Sequence, residues 1–340
     1  IADEGKMILD ADTSQTVSSL VIGNVQMEPD KTYGASGSDV IDTRHFGGSG
    51  VLRVMQPGIL RTWIGESGSL WSSAANWNPR GQPSKGDTLV FNASAGAITA
   101  ENDLTAPILA GLVFCGDHAI EVRGNRIPLA GQSIVTASGA TPVTFKAGLD
   151  LTGPVEFNAT SNALGHVVWR FDGGFSGEGS FTTAGDSSAE YHFTADSPDF
   201  DGDFILMNGS AYHAYADQSF GSTKGYTRYE VVTGSQAENQ NRFVARFTFH
   251  GITTSENFYW AGFHSHSLYV PENTTNVFNG AFDVHVDARA TTERWDFSAG
   301  SRTIFNGDIG MQTLSNAKKY EYVIFDLPAR PDALFEQLVR

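Results

Sequence analysis

The chain has 340 residues and a net charge of −16, and only 18% of its residues are charged. An acidic surface repels phosphate groups, which argues against nucleic acids and anionic membranes as partners. A single cysteine, Cys115, excludes an intramolecular disulfide and a cysteine metal cluster. Its apolar surroundings predict a buried, inert thiol.

The beginning of the chain already has strand character, in "SQTVSSLVIGN". The opening "IADEGKMILD" lacks the basic region and long apolar core of a signal peptide. The longest apolar run, "APILAGLVFC", is about half the length of a membrane span. We therefore expect a processed product or a piece of a longer chain, with no membrane insertion by this chain.

Three of the six tryptophans lie in "TWIGESGSLWSSAANW", at Trp63, Trp71 and Trp77. Tryptophan is seldom clustered on a surface without a reason. Packing at the boundary of a module is the favoured interpretation. A platform on which sugar rings stack is the alternative.

Short alternating segments follow, separated by Gly, Asn, Asp, Ser and Thr at intervals too short for helices. In "AIEVR", Ile120 and Val122 share one face, while Glu121 and Arg123 share the other. This period of two predicts strands that are packed on one side and wet on the other.

The strands repeat along the chain. Phe278 and Phe305 are 27 positions apart, and each is followed by Asn-Gly. Phe157, Phe181 and Phe204 recur at similar intervals. A period in the twenties matches one coil of a β-solenoid, and we expect the Asn-Gly pairs at corners with positive φ. The predicted fold is therefore an all-β parallel β-helix, or β-solenoid.

The segment "TWIGESGSLWSSAANWNPRGQPSKGDTLVFNA" resembles the opening of autotransporter-associated β-strand repeat modules, which occur in large bacterial surface proteins. The positions that carry this resemblance are Thr62, Trp63, Trp71, Ser72, Ala74, Ala75, Asn76, Trp77, Pro83, Gly86, Asp87, Thr88 and Phe91. Later matches are the Gly124-Asn125 corner, "GGFSGEG" from Gly173, and "SPDFDGDFILMNGSAYHAYADQSFGS". The resemblance covers about residues 1–222. It implies a right-handed parallel β-helix that is exported and displayed or released, and it implies no shared catalytic residues.

This organisation predicts four segments. Residues 1–61 would end a preceding solenoid segment, 62–225 would form the repeat module, and 226–325 would add further coils. Residues 326–340 would form a short C-terminal helix or linker, because Pro331 and Asp332 suit a first helical turn and "ALFEQL" has an apolar face.

Two clusters raise the question of metal binding. In "DSPDFDGDF", the acids are Asp196, Asp199, Asp201 and Asp203. Because the further ligands of a calcium loop are missing, a solvated strand face is favoured. His264 and His266 have a spacing that zinc sites use, and His285 with Asp287 could complete such a site if the two strands stack. No third ligand is fixed by spacing, so we predict neither a metal site nor a cofactor.

Parallel β-helices also carry glycan-active enzymes, whose acids come from adjacent coils. The candidates are Glu156, Asp172, Glu178, Asp199 and Asp201, but nothing in the sequence pairs them. Nucleophile, metalloprotease and nucleotide motifs are absent, and we predict no catalytic residue.

The expected function is a non-enzymatic scaffold at a bacterial cell surface or outside the cell: a stalk, adhesin or fibre subunit that self-associates or binds other surface proteins. The alternatives are a polysaccharide lyase or hydrolase, or a glycan-binding module.

Overall fold

A computed structural model describes residues 1–11, 13–17, 20–28, 31–54, 58–105, 107–160, 165–185, 189–207, 210–230, 246–262, 267–286, 293–313 and 323–326. The described chain is almost entirely short β-strands, as predicted. Its helical content is a single 3-10 turn, Ala74–Asn76. The predicted C-terminal helix lies outside the described residues, apart from Asp326, which ends the last strand.

The first eight strands form small sheets of their own: a β1-β7 pair, a β3-β4 hairpin and a four-stranded sheet in the order β2-β8-β5-β6. Their bounds are β1 Met7–Leu9, β2 Ser14–Val17, β3 Val21–Ile22, β4 Val25–Gln26, β5 Thr32–Gly34, β6 Val40–Ile41, β7 Phe46–Gly48 and β8 Val51–Val54.

From residue 58 onward, the strands form a parallel β-solenoid. The first half contains β9 Leu60–Trp63, β10 Trp77–Asn78, β11 Thr88–Ala93, β12 Ile98–Asn102, β13 Leu109–Gly116, β14 Ile120–Gly124, β15 Ile127–Ser138, β16 Pro142–Phe145, β17 Leu149–Leu151, β18 Val155–Thr160, β19 Val168–Phe171, β20 Phe175–Gly177, β21 Phe181–Gly185 and β22 Glu190–Phe193. The second half contains β23 Asp199–Phe200, β24 Phe204–Met207, β25 Ala211–Ala214, β26 Tyr226–Glu230, β27 Arg246–Phe249, β28 Thr253–Thr254, β29 Asn257–Gly262, β30 Ser267–Val270, β31 Thr275–Phe278, β32 Phe282–Val286, β33 Glu293–Phe297, β34 Arg302–Phe305, β35 Ile309–Thr313 and β36 Val323–Asp326.

Successive coils contribute strands in turn to the same sheets. The first sheet runs β10-β9-β11-β13-β15-β18-β21-β24-β26-β29-β32-β35, with β17, β20 and β23 attached at one side. The second sheet runs β12-β14-β16-β19-β22-β25-β27-β30-β33-β36, and the third is β28-β31-β34. Described pairings within these sheets are parallel, except for the antiparallel pair β9-β10. Each coil therefore bonds through its main chain to the coil before it and the coil after it.

The interior is lined by the apolar half of each alternating strand. Ile120 and Val122 are buried, whereas Glu121 and Arg123 lie on the outer face, as predicted. Inside the second sheet, Phe145 and Phe171 stack with their ring centroids 5.6 Å apart, and Phe193 continues the stack at 5.3 Å from Phe171. Such stacks hold neighbouring coils in register, because each ring packs on its equivalent in the next coil.

Two of the phenylalanine pairs predicted from the repeat lie directly opposite each other in neighbouring strands. Phe278 pairs with Phe305 in the next coil, with stacked rings 5.1 Å apart. Phe181 pairs with Phe204. Phe157 instead pairs with Thr183, two positions further along its neighbour strand. Its ring nevertheless stacks on Phe181 at 4.3 Å.

Buried hydrophobic side chains in the described residues form two separate clusters. The larger fills the solenoid from Trp63 to Phe297, and the smaller lies within residues 9–54. The boundaries of the four predicted segments stay predictions. Within the described part of the chain, no helix is long and apolar enough to cross a membrane.

Candidate functional site

The tryptophan cluster is part of the core and is not an open platform. Trp71 and Trp77 are fully buried, and Trp63 is 8% exposed. All three rings lie within 6.1 Å of the Phe91 ring, and the Trp77 indole N–H donates to the carbonyl oxygen of Trp71 at 2.8 Å. Together with β9 and β10, these rings cover the solenoid core at its first coil. This arrangement supports the packing interpretation, and it leaves these ring faces unavailable for stacking on a sugar.

The acids of "DSPDFDGDF" contact neighbouring coils. Asp201 accepts hydrogen bonds from Lys224 at 2.5 Å and from Ser222 at 2.6 Å, and these two bonds lower the pKa of its carboxyl group. Asp203 binds Arg228 at 2.9 Å. Asp196 accepts the Gln218 backbone N–H, and Asp199 is exposed on β23. Asp196, Asp201 and Asp203 therefore act as partners for polar groups of the adjacent coil.

The candidate catalytic acids are distributed over different sheets. Glu156 lies on β18 of the first sheet and accepts a bond from Asn158 at 3.3 Å. Asp172 follows β19 of the second sheet, where it binds Arg170 at 2.7 Å. Glu178 is exposed after β20. Asp199 lies on β23 and Asp201 follows it, where Lys224 pairs with Asp201 and lies close to Glu178, so the five acids are spread over two sheets.

The residues that the sequence analysis considered as zinc ligands, without predicting a site, fall largely outside the described residues. His264, His266 and Asp287 are not described, and His285 is described only as a backbone position of β32, opposite Ala261 of β29. The described residues therefore do not test that hypothesis.

Cys115 differs from expectation in its burial. It is half-buried on the outer side of β13, because Phe114 takes the inward position. Partial burial raises the pKa of the thiol, which agrees with the predicted low reactivity.

The most concentrated group of functional side chains lies on the outer face of the second sheet. Glu190 and His192 point outward from β22, because Tyr191 and Phe193 take the inward positions. His213 on β25 is in register with His192, and their rings stack in parallel at 4.5 Å. Two further aromatic groups, Tyr215 and His250, complete what we call the histidine cluster: Glu190, His192, His213, Tyr215 and His250.

Hydrogen bonds connect the histidine cluster. His192 Nε2 lies 3.4 Å from Glu190 Oε2, and His192 Nδ1 lies 3.2 Å from the Tyr215 hydroxyl. His213 Nδ1 lies 3.3 Å from His250 Nε2. The rings of Tyr215 and His250 stack at 4.0 Å.

Burial determines the charge state of the cluster's centre. Burial and, after it, the charges of the neighbouring His192 and His250 together lower the pKa of His213 to about 4. Burial also lowers the pKa of His250. At neutral pH the His213 ring is therefore uncharged, with a lone pair on one nitrogen.

In the described part of the chain, Glu190, His192 and His213 are the one group of three metal-ligating residues whose ligand atoms lie within 4.8 Å of one another. The sequence analysis missed this group. A repeated dipeptide in the sequence could have revealed this group. Tyr-His occurs at 191–192 and again at 212–213, one coil later. Two histidines at equivalent positions of neighbouring coils must lie side by side in a parallel sheet.

Comparisons of the chain with models of protein families, with curated proteins and with solved structures give no match.

Proposed function

We propose that this chain is a non-enzymatic structural scaffold at the surface of a bacterium or outside the cell, as part of a stalk, adhesin or fibre. The observation that supports this proposal most is the uninterrupted parallel ladder, with ten successive strands in the second sheet alone. Stacked coils extend along one axis and present a long side face, as a spacer or fibre segment requires. The resemblance to autotransporter-associated repeats agrees with this proposal.

Ion pairs on the outer surface support the stacked arrangement of the coils. Ion pairs join neighbouring coils from 101 to 228: Glu101–Arg123, Glu121–Lys146, Asp201–Lys224 and Asp203–Arg228. Exposed ion pairs of this kind are individually weak, because water and salt screen them. Their repeated placement between coils nevertheless favours the stacked arrangement over sliding of one coil past another.

The proposed partners are other copies of this chain or other surface proteins. A parallel strand at the end of a stack presents unpaired main-chain groups that a further strand can bond. Glycan binding and glycan cleavage remain alternatives. The burial of the three clustered tryptophans removes the platform on which the binding alternative was based.

The test uses the natural protein in its source organism. Immunogold labelling of intact cells is expected to place it on the outer surface, and electron microscopy of the purified natural protein is expected to show elongated particles or fibres. Label confined to the interior of permeabilised cells would overturn the proposal. Turnover of a polysaccharide in a panel of soluble glycans would replace it with the enzyme alternative.

A further inference from the structure

Two neighbouring coils bring three metal-ligating side chains to one place on the outer face of the second sheet. Glu190 and His192 lie two positions apart on β22 and so share that face. His213 joins them from β25, directly beside His192 in the parallel register. The side chain of His192 is 18% exposed and that of Glu190 is 44% exposed, so solvent and ions reach the group.

We propose that Glu190, His192 and His213 bind a divalent transition-metal ion such as Zn²⁺. Two imidazole nitrogens and one carboxylate oxygen form a donor set that suits zinc and its neighbours in the first row, whereas calcium and magnesium prefer all-oxygen sites. Three protein ligands leave a fourth tetrahedral position for water.

The distances allow binding after small side-chain rotations. Zinc binds imidazole nitrogen and carboxylate oxygen at about 2.0–2.2 Å, so in a tetrahedral site two ligand atoms are separated by at most about 3.6 Å. His192 Nε2 and Glu190 Oε2 are 3.4 Å apart and already satisfy this limit. All three ligand atoms lie within 4.8 Å of one another, so the widest separation needs a contraction of at most about 1.2 Å.

The neighbouring groups can fix the tautomer of both imidazoles, and because the two rings stack in parallel at 4.5 Å, one ring must turn before both lone pairs point at one ion. Metal-binding histidines donate their second ring N–H to an acceptor, which fixes the tautomer and directs the other lone pair toward the ion. Here Tyr215 Oη lies 3.2 Å from His192 Nδ1, and His250 Nε2 lies 3.3 Å from His213 Nδ1. When each Nδ1 carries the proton, both Nε2 lone pairs are available to the ion.

The nearby cations are bound to other groups. Arg170 pairs with Asp172 at 2.7 Å, and the guanidinium of Arg246 lies 4.4 Å above the ring of Tyr269. Neither contact uses Glu190, so its carboxylate keeps an oxygen for the ion.

The test is a zinc titration of the intact chain in competition with a chromophoric chelator. The wild type is expected to bind one zinc ion at this site. His192→Gln, His213→Gln and Glu190→Gln are each expected to lose that ion, with affinity reduced by roughly 100-fold or more. His250→Gln is a positioning variant, expected to weaken binding by about 10- to 100-fold.

Two control variants identify the site. His118→Gln changes a histidine that contacts Ala93 on an earlier coil and is expected to leave zinc affinity unchanged. The double variant His264→Gln/His266→Gln removes the histidine pair whose spacing zinc sites use and is expected to keep this ion. Unchanged zinc binding in both His192→Gln and His213→Gln would overturn the proposal, as would the absence of wild-type binding up to about 1 mM zinc.

A second readout separates loss of the site from loss of the fold. An ion that links β22 to β25 binds the folded chain alone, so zinc is expected to raise the thermal midpoint of the wild type. Folded His213→Gln, recognised by an unchanged circular dichroism spectrum, is expected to show no such rise. An equal rise in both proteins would place the ion elsewhere and contradict the proposal.

Discussion

Glu256 is a buried acid without a cationic partner among the described residues. Its side chain is 4% exposed, the backbone N–H of Phe220 donates to Oε1 at 3.3 Å, and Oε2 has no hydrogen-bond partner in the described structure. Burial raises the pKa of this carboxyl group well above its usual value, and the nearby Asp196 raises it further. The folded state therefore holds the proton more tightly than the unfolded state does.

This difference has a definite sign. Both states hold the proton below the unfolded pKa, near 4.5. As the pH rises above that value, the unfolded state releases its proton first, so the free energy of unfolding falls until the folded pKa is passed. Glu256→Gln removes the titrating group and is expected to gain on the wild type as the pH rises, by about 1 kcal/mol at pH 8. Urea unfolding at about pH 4, 6 and 8 measures the difference.

Glu66→Gln is the matched control for that experiment. Glu66 pairs with Arg80 at 3.0 Å, and both side chains are more than half exposed. Its substitution removes an exposed ion pair and is expected to change the free energy of unfolding by less than about 1 kcal/mol at each pH. A constant difference between Glu256→Gln and wild type over the whole range would contradict the argument.

Asp87 shows the opposite case, a buried acid with complete partners. It is 1% exposed, and it accepts bonds from Arg61 Nε at 2.6 Å, from the Ile59 backbone N–H and from Ser84. These bonds join β9 to the turn that precedes β11. The sequence analysis identified Asp87 only by resemblance, because the partners lie up to 28 positions away.

Asp87→Ala is expected to reduce the free energy of unfolding by about 3–5 kcal/mol, because it leaves the largely buried Arg61 guanidinium without its counterion. Glu66→Ala removes an exposed ion pair and is expected to cost less than about 1 kcal/mol. Denaturant unfolding monitored by circular dichroism compares the two variants. Equal losses would show that burial of the Asp87–Arg61 pair contributes nothing.

At the scale of the element, glycines determine how closely the coils approach. Gly179, Gly202 and Gly225 recur every 23 residues at one corner. A Cβ on Gly202 would overlap the carbonyl oxygen of Gly179, and one on Gly225 would overlap that of Gly202. The backbones of adjacent coils therefore touch at this corner, and a methyl group has no space.

Gly202→Ala is expected to destabilise the chain by about 1–3 kcal/mol, because the coils must separate locally to admit the methyl group. Gly96→Ala is the matched control, since nothing lies within 4 Å of its added Cβ and its φ is not positive. That control is expected to change stability by less than about 1 kcal/mol. Thermal unfolding separates the two, and equal midpoints would refute the close-contact argument.

The two Asn-Gly pairs lie at equivalent positions in neighbouring coils, as the sequence predicts, but not for the conformational reason that was expected. The sequence analysis expected positive φ at the pairs after Phe278 and Phe305. Gly280 and Gly307 do not have positive φ; a Cβ on Gly307 would instead overlap the carbonyl oxygen of Gly280. The asparagines stack as well, with Asn306 Nδ2 donating to Asn279 Oδ1 at 2.8 Å. The spacing of the Asn-Gly pairs correctly predicts that they occupy equivalent positions in neighbouring coils. It does not reveal which contact makes asparagine and glycine necessary there.

The strands and their inward faces were predictable, because alternation is a local property of the sequence. The register, that is, which residue of one strand lies beside which residue of the next, was harder to predict. The shift that pairs Phe157 with Thr183 follows from coils of unequal length, which a search for a constant period cannot detect. Predicting the histidine cluster requires both the face and the register. His192 must be known to face outward, and His213 must be known to lie beside it in the next coil.

At the scale of the whole molecule, the described chain has two cores of unequal size. Seven buried hydrophobic residues form the smaller one, which contains Leu52, and the larger runs through the solenoid. Composition cannot reveal this division, since both parts use the same residue types. Two cores that share no buried side chains are expected to unfold in separate steps.

Leu52→Ala tests that separation. Leu52 is 3% exposed and lies between Gln15 of β2 and Tyr33 of β5, so truncation is expected to cost the smaller core about 2–5 kcal/mol. All six tryptophans follow residue 62, so their fluorescence reports on the solenoid alone, whereas circular dichroism reports on both parts. We expect Leu52→Ala to lower the midpoint of an early circular dichroism transition and to leave the fluorescence midpoint unchanged.

The matched variant Leu112→Ala, in the solenoid core, is expected to shift the fluorescence midpoint. A fluorescence midpoint that falls with Leu52→Ala would mean that the two cores unfold as one unit, and the predicted boundary near residue 61 would then separate two parts of a single cooperative structure.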